Sequence, residues 1–330
     1  MDLSTYSVKK LVMVFLGANL GFGLYATLRD TRLEDVQVYH STRLISSFAG
    51  WCGRLGIPHF MRATLFGYYC KVYNVRQEDM LRPLDDYTSF VDFFTRKVKE
   101  RQVDPNPAVL VAPADSKVLA VTPVTGNDVL MVKNVKYPLG EFLTGSRKEV
   151  YTAADLAGIK KSPQDKQPTE LWSAIFYLSP GDYHRYHSPV DFSVRQRRHV
   201  AGHLYPVKIS YIEENPRVYA DNERLGLFGE WKYGLMSQVY VGATNVGSMT
   251  VAHEPDLETN ILSAVNRKKV EAKTYTKPVE LKKGQEVGMF KLGSTVVMVF
   301  EAPKGIEWHV KEGDAVRYGQ PIATVKVPQK

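Results

Sequence analysis

The chain has only two cysteines, Cys52 and Cys70, in 330 residues. A pair 18 positions apart makes neither a disulfide framework nor a zinc cassette, so an apolar core must hold the fold. Also missing is any block of Lys and Arg dense enough to serve as a nucleic-acid arm, although the formal charge is +8. Such a surplus belongs to a partner of opposite sign, nucleic acid or acidic lipid, or to a merely basic protein. Without an arm, nucleic acid is not expected. No repeat of solenoid length is present. No A-x-A-like cleavage site follows the N-terminal apolar stretch, which argues against a secretory signal peptide.

That stretch, "LVMVFLGANLGFGLYATL", runs over residues 11–28 without a charge, between Lys9-Lys10 and Arg29. As a helix it is about 27 Å long, enough to span a bilayer core. Gly17 and Gly21 form a GxxxG pair suited to contact with another helix. The spacing therefore predicts an N-terminal segment, 1–33, that carries a single membrane anchor. Residues 34–103 read as a helical, membrane-associated region. It ends in "TSFVDFFTRKVKE", a predicted helix with Thr88 as N-cap and Phe90, Phe93 and Phe94 on one face. Asp104-Pro-Asn-Pro107 breaks that pattern. From 104 to 330 short β-type runs alternate with Gly and Pro, among them "SKVLAVTPV", "LWSAIFYLS" and "STVVMVFEA". The expected class is α+β, a helical N-terminal region followed by a β-rich catalytic domain. Residues 145–170, polar and rich in lysine, are expected to form a surface loop.

Three stretches hold side chains of catalytic type. "LVAPADSKV" sets Asp115 in a proline-led turn, where an acid commonly bonds its own backbone. "YLSPGDYHRYHSPVDF" sets His184 and His187 three residues apart among tyrosines, which also suits plain interfacial packing. An i, i+3 histidine pair binds metal only with a further ligand, and none is near in sequence, so no metal is expected. "FKLGSTVVMVF" sets Gly293 and Ser294 inside an apolar strand. Asp115, His184 or His187, and Ser294 make a Ser-His-Asp inventory. The serine does not sit in the G-x-S-x-G elbow of an α/β-hydrolase, because a strand follows it and the second glycine is absent. Directly after an unhindered glycine carbonyl, its hydroxyl is set to attack its own preceding peptide bond.

At these residues the sequence resembles the phosphatidylserine decarboxylases, pyruvoyl-dependent enzymes whose precursors cut themselves inside an LGST motif. "SFVDFFTRKVK", "LVAPADSKV", "YLSPGDYHRYHSPVDF", "NERLGLFGEW", "VYVGATNVGSM" and "FKLGSTVVMVFEAP" resemble family segments in the expected order, over roughly residues 40 to 325. One departure is Ser116, where the family usually has glycine after the acid. The last fifty residues add a second likeness. "KKGQEVGMFKLGSTVVMV" and "KEGDAVRYGQPIATVKV" resemble the half-motifs of lipoyl and biotinyl domains, which implies barrel-sandwich character. Lys304, between the halves, lacks the flanking methionines of a carrier lysine.

The resemblance implies a mechanism. His187 acts as base on Ser294 and Asp115 orients it. Ser294 attacks the Gly293 carbonyl, an N-to-O acyl shift and elimination split the chain, and the serine remnant becomes a pyruvoyl group. The products are a long chain, 1–293, and a short chain, 294–330. The pyruvoyl carbonyl forms a Schiff base with phosphatidylserine and releases CO2 and phosphatidylethanolamine. His184 returns the proton, with Tyr183 as the weaker choice. The implied partners are phosphatidylserine, membrane lipid and a second copy of the chain. Arg195, Arg197 and Arg198 either meet lipid phosphate or form a solvated strand edge. The implied location is the mitochondrial inner membrane, with a bacterial inner membrane or an endomembrane as alternatives. A serine hydrolase acting on lipid and a non-enzymatic carrier are the competing readings.

Overall fold

The computed structural model describes residues 35–124, 130–132, 135–145, 169–244, 248–257, 259–260, 270–291 and 294–326. The expected anchor at 11–28 and nearly all of the expected loop at 145–170 lie outside them. Among the described residues, no helix is long and apolar enough to cross a membrane.

Two helices open the structure, α1 (Asp35–Arg54) and α2 (His59–Tyr73), separated by the Gly56-Ile57-Pro58 break. Asn74 ends α2 in the left-handed conformation (φ 53°) and returns its N–H to the Cys70 carbonyl. The inner face of α2 buries Phe66 and Cys70 against Tyr87 and Phe93, and Phe66 stacks on Phe93 with centroids 4.5 Å apart. On α1, Arg43 reaches the catalytic domain and pairs with fully buried Glu223 at 3.0 Å, which His199 also contacts at 2.7 Å.

The helix expected from Thr88 is shorter than its sequence pattern. It is α3 (Phe90–Phe94), and its cap is Ser89, whose Oγ accepts from Asp92 N–H at 3.2 Å. The Asp92 carboxylate accepts in return from Thr88 N–H. The Thr95 hydroxyl donates to the Val91 carbonyl, and Arg96 turns into the protein interior.

The remainder is β-rich. In chain order the strands are β1 (Val109–Val111), β2 (Ser116–Pro123), β3 (Leu130–Val132), β4 (Val135–Tyr137), β5 (Thr169–Leu178), β6 (Arg185–His187), β7 (Phe192–Val200) and β8 (Arg224–Trp231). They continue as β9 (Gly234–Val241), β10 (Met249–Val251), β11 (Val270–Leu281), β12 (Glu286–Phe290), β13 (Ser294–Pro303), β14 (Ile306–Trp308), β15 (Ala315–Val316) and β16 (Pro321–Val325). An eight-stranded sheet runs β11-β7-β8-β9-β13-β5-β2-β15, with antiparallel neighbours throughout. Two three-stranded sheets, β10-β12-β6 and β1-β16-β14, accompany it.

Strand β13 lies inside the large sheet, between β5 and β9. Val296 to Phe300 are fully buried, so both faces of the strand are covered, and the run is apolar without alternation. The two half-motifs share turn chemistry. Gly284 (φ 77°) and Gly313 (φ 94°) hold equivalent positive-φ positions. Gln285 and Asp314 close their turns by accepting from Lys282 and Lys311 N–H. The following strands then diverge, β12 into a small sheet and β15 to the edge of the large one.

Candidate active site

Leu178, the last residue of β5, is the register partner of Ser294, the first residue of β13. The histidine segment leaves β5 at that point. Its turn is closed by Asp182, whose Oδ2 accepts from Ser179 N–H at 2.7 Å and whose N–H donates to the Ser179 carbonyl. Gly181 passes so close to α2 that a Cβ there would stand 2.0 Å from the Tyr73 carbonyl oxygen. The segment then enters β6, which pairs with β12, and Phe290 N–H donates to the His184 carbonyl at 2.9 Å. The histidine segment thus contacts the chain on both sides of Leu292-Gly293, two residues that lie outside the described set.

His184 is fully buried. Its Nδ1–H donates to the Asp182 carbonyl at 2.9 Å, its ring packs on Phe94 with centroids 4.0 Å apart, and Nε2 has no hydrogen-bond partner. Burial pushes its pKa down to about 3, so the imidazole is neutral with a bare lone pair on Nε2. Arg96 donates to the same Asp182 carbonyl at 3.0 Å and to the Gly181 carbonyl at 2.8 Å. Its Nε and Nη1 are buried without partners. Burial raises the Asp182 carboxyl to about 6.

His187 is held at both ring nitrogens. Nδ1–H donates to the Gly284 carbonyl at 2.8 Å, and Nε2 accepts from the Tyr183 hydroxyl at 3.1 Å. Its backbone is fixed as well, by N–H to the Pro113 carbonyl and by Gln238 Nε2 on its own carbonyl. Burial lowers its pKa below the ordinary histidine value.

Asp115 lies close by, but its oxygens are engaged elsewhere. Arg101 grips it with both nitrogens, at 2.5 and 3.0 Å, and Tyr318 N–H donates to Oδ1 at 2.9 Å. Asp115 was expected to orient His187. The structure links the two through Tyr318, whose ring stacks on His187 with centroids 4.0 Å apart and planes within 10°. Arg101 lies 4.6 Å from the centroid of the same ring and also binds Asp79 at 3.1 Å. Ser116 uses the hydroxyl that distinguishes it from glycine to donate to the Ala114 carbonyl, which stabilises the turn beside Asp115.

Arg195, Arg197 and Arg198, read from the sequence either as lipid-phosphate contacts or as a solvated strand edge, all have partners within the protein. Arg195 pairs with Glu230, and buried Arg197 pairs with Glu254 and Glu271. Lys304 is largely exposed, 4.0 Å from Glu170. No group of three metal-ligating side chains occurs among the described residues. Reading the sequence missed Arg96, Arg101 and Tyr318. The first two are hidden among the basic residues after α3, and Tyr318 resembles an ordinary turn aromatic.

A sequence profile described as phosphatidylserine decarboxylase matches residues 90–324. A Caenorhabditis elegans protein named phosphatidylserine decarboxylase proenzyme, mitochondrial, is 37% identical over 267 residues, covering 81% of this chain and 67% of its own length. The Cricetulus griseus protein of that name is 32% identical, covering 94% of this chain and 82% of its own. A Schizosaccharomyces pombe proenzyme 1 is 34% identical, covering 86% and 80%. With most of its length matched and its histidine segment lying against the LGST strand, this chain belongs to the phosphatidylserine decarboxylase family.

Proposed function

We propose that this chain is a phosphatidylserine decarboxylase whose precursor cuts itself between Gly293 and Ser294. The observation that carries the reading is the bracketing of that junction by the histidine segment, through Leu178 on one side and the His184 carbonyl on the other. In this reading neutral His187 takes the Ser294 hydroxyl proton, once Nε2 releases the Tyr183 hydroxyl. Asp115 acts through Tyr318 rather than by a direct bond. It places a negative charge that favours the imidazolium as that cation forms.

The pyruvoyl group made from residue 294 supplies a carbonyl that accepts the electrons left when CO2 departs. The buried, unpartnered Nε2 of His184, on the segment that starts opposite residue 294, fits such a group. Decarboxylation of an amino acid consumes one proton, and His184 Nε2 is the atom assigned to deliver it. At a pKa of about 3 the free imidazole carries no such proton at neutral pH. In this reading Nε2 takes up a proton from solvent during turnover, once bound substrate has changed the surroundings of the ring, and passes it to the substrate carbon.

A lipid substrate also accounts for the outer face of the helices. Leu44, Phe48 and Trp51 of α1, with Leu55 just beyond its end, are exposed at helical spacing, and Phe60 of α2 is 77% exposed. We assign this face to the lipid surface. The relatives named mitochondrial support a mitochondrial location for this chain, and the inner membrane is part of the proposal. Barrel-sandwich character is retained for the segment holding the two Gly284 and Gly313 turns.

Intact-mass analysis after denaturing electrophoresis tests the reading. A 37-residue fragment, 294–330, with a blocked N-terminus that reacts with carbonyl reagents is expected. Ser294→Ala should leave the chain whole. Cleavage of that variant at 293/294 would overturn the proposal. An uncut active protein labelled at Ser294 by a fluorophosphonate would point to a hydrolase, and one modified at Lys304 to a carrier.

A further inference from the structure

Tyr318 lies 24 residues beyond Ser294, within the segment that self-cleavage turns into the short chain. It is buried with Val98 and Tyr183 in a small apolar cluster of its own. The turn that carries it is closed twice, by Gln320 N–H on the Arg317 carbonyl and by Arg317 N–H on Gln320 Oε1. Gly319 follows at φ 81° and donates to the Ala112 carbonyl. The Tyr318 backbone N–H is spent on Asp115 and the Tyr318 ring on His187 and Arg101. One residue therefore touches the acid, the base and the cation that neutralises the acid.

We propose that Tyr318 is a positioning residue for self-processing, the future short chain itself supplying the surface against which His187 is aligned. The inference rests on the reading of Gly293-Ser294 as the scission point. Hydrogen bonds from both ring nitrogens lie in the imidazole plane and fix the ring along that plane. They leave its tilt to whatever covers its faces. The near-parallel Tyr318 ring supplies that restraint while allowing an in-plane shift, which Nε2 needs in order to exchange the Tyr183 hydroxyl for that of Ser294. Because Tyr318 lies in the turn between β15 and β16, the base is aligned only once those strands have folded. Cleavage is thereby made to follow folding.

The charged and titratable groups that act on His187 are Asp115 of the proline-led turn, Arg101 before β1, Glu286 of β12 and Tyr183 of the histidine segment. Tyr318→Leu removes the ring and leaves these groups in place, whereas Tyr318→Phe keeps the ring and loses only the hydroxyl. The expected result is self-cleavage slowed by about tenfold to a hundredfold in the leucine variant, the range for a misplaced reacting group. Phenylalanine restores the rate. Equal slowing in both variants, or parental cleavage in a folded leucine variant, would overturn the proposal.

A second measurement covers a leucine variant that does not fold. In the full-length Ser294→Ala precursor, the His187 ring proton resonances should be displaced upfield by the tyrosine ring, and equally so with Tyr318→Phe added. Resonances at free-histidine positions would refute the stack. Cleavage of the Ser294→Ala chain would instead refute the scission reading, so the two failures are distinguishable.

Discussion

Arg96 and His184 meet on one oxygen atom, the main-chain carbonyl of Asp182, at 3.0 and 2.9 Å. The shared acceptor fixes the tautomer of His184 with the proton on Nδ1. The guanidinium charge adds to burial in holding the ring neutral. Removing the charge with Arg96→Met should raise the His184 pKa by the smaller, electrostatic part of its shift, while burial continues to hold it low. Its acid form would then persist to higher pH, and the alkaline limb of the decarboxylation profile should move upward. Self-cleavage should continue, because His187 makes none of these contacts. A pH–rate profile on phosphatidylserine vesicles checks this, and an unmoved alkaline limb would contradict the assignment.

The two histidines should separate by substitution. His187→Ala should leave the chain uncut, since the base for the Ser294 hydroxyl is gone. His184→Ala should cut and then decarboxylate slowly, by about 10²- to 10⁴-fold, the usual contribution of a positioned proton donor. Gel analysis of processing beside CO2 release from the same preparation makes both readings. The reverse pattern would exchange the roles.

Asp182 and His184 carry opposite pH dependences into the stability of the fold. The folded pKa of His184, about 3, lies below its unfolded value, so its contribution is present above that value and is lost as pH falls. The folded pKa of Asp182, about 6, lies above its unfolded value, so its contribution is present at low pH and is lost as pH rises. Between roughly pH 4 and 6 the two slopes oppose each other, each at most about 1.4 kcal/mol per pH unit. Asp182→Asn keeps an oxygen for Ser179 N–H and removes one of the slopes. Denaturant unfolding of the Ser294→Ala precursor should show the parent's stability relative to the Asn variant declining with pH across that window and level above it. Parallel curves would show that Asp182 titrates normally.

What the sequence disclosed and what it hid follow from the range of the interactions. Strand β13 was legible because a strand covered on both faces reads as an unbroken apolar run. The segment carrying His184 and His187 was legible because turn residues and histidines cluster locally. The partner of Asp115 was not legible. Arg101 is 14 positions away and Tyr318 is 203, and nothing local distinguishes a basic residue that grips a carboxylate from one that faces water. The length of α3 was misjudged for a related reason. Its helical pattern continues past Phe94, but the helix ends there and Arg96 turns inward to the distant Gly181 carbonyl, a contact that no local pattern discloses.

The outer face of α1 gives the last prediction. Phe48 and Trp51 are exposed and their rings lie 5.9 Å apart, whereas Arg43 and Ser46 of the same helix are buried toward the protein. A charge on the outer face therefore need not disturb packing. Phe48→Glu with Trp51→Glu replaces two rings with carboxylates and adds repulsion from an anionic surface. Each buried ring is worth roughly 1.5 to 3 kcal/mol in transfer from water, so vesicle affinity should fall by at least about tenfold. Self-cleavage and thermal stability should stay near the parent, since neither ring touches the scission site. Sedimentation with anionic vesicles measures the loss. Undiminished binding by a folded, cleaved double variant would move the lipid-contacting surface away from α1.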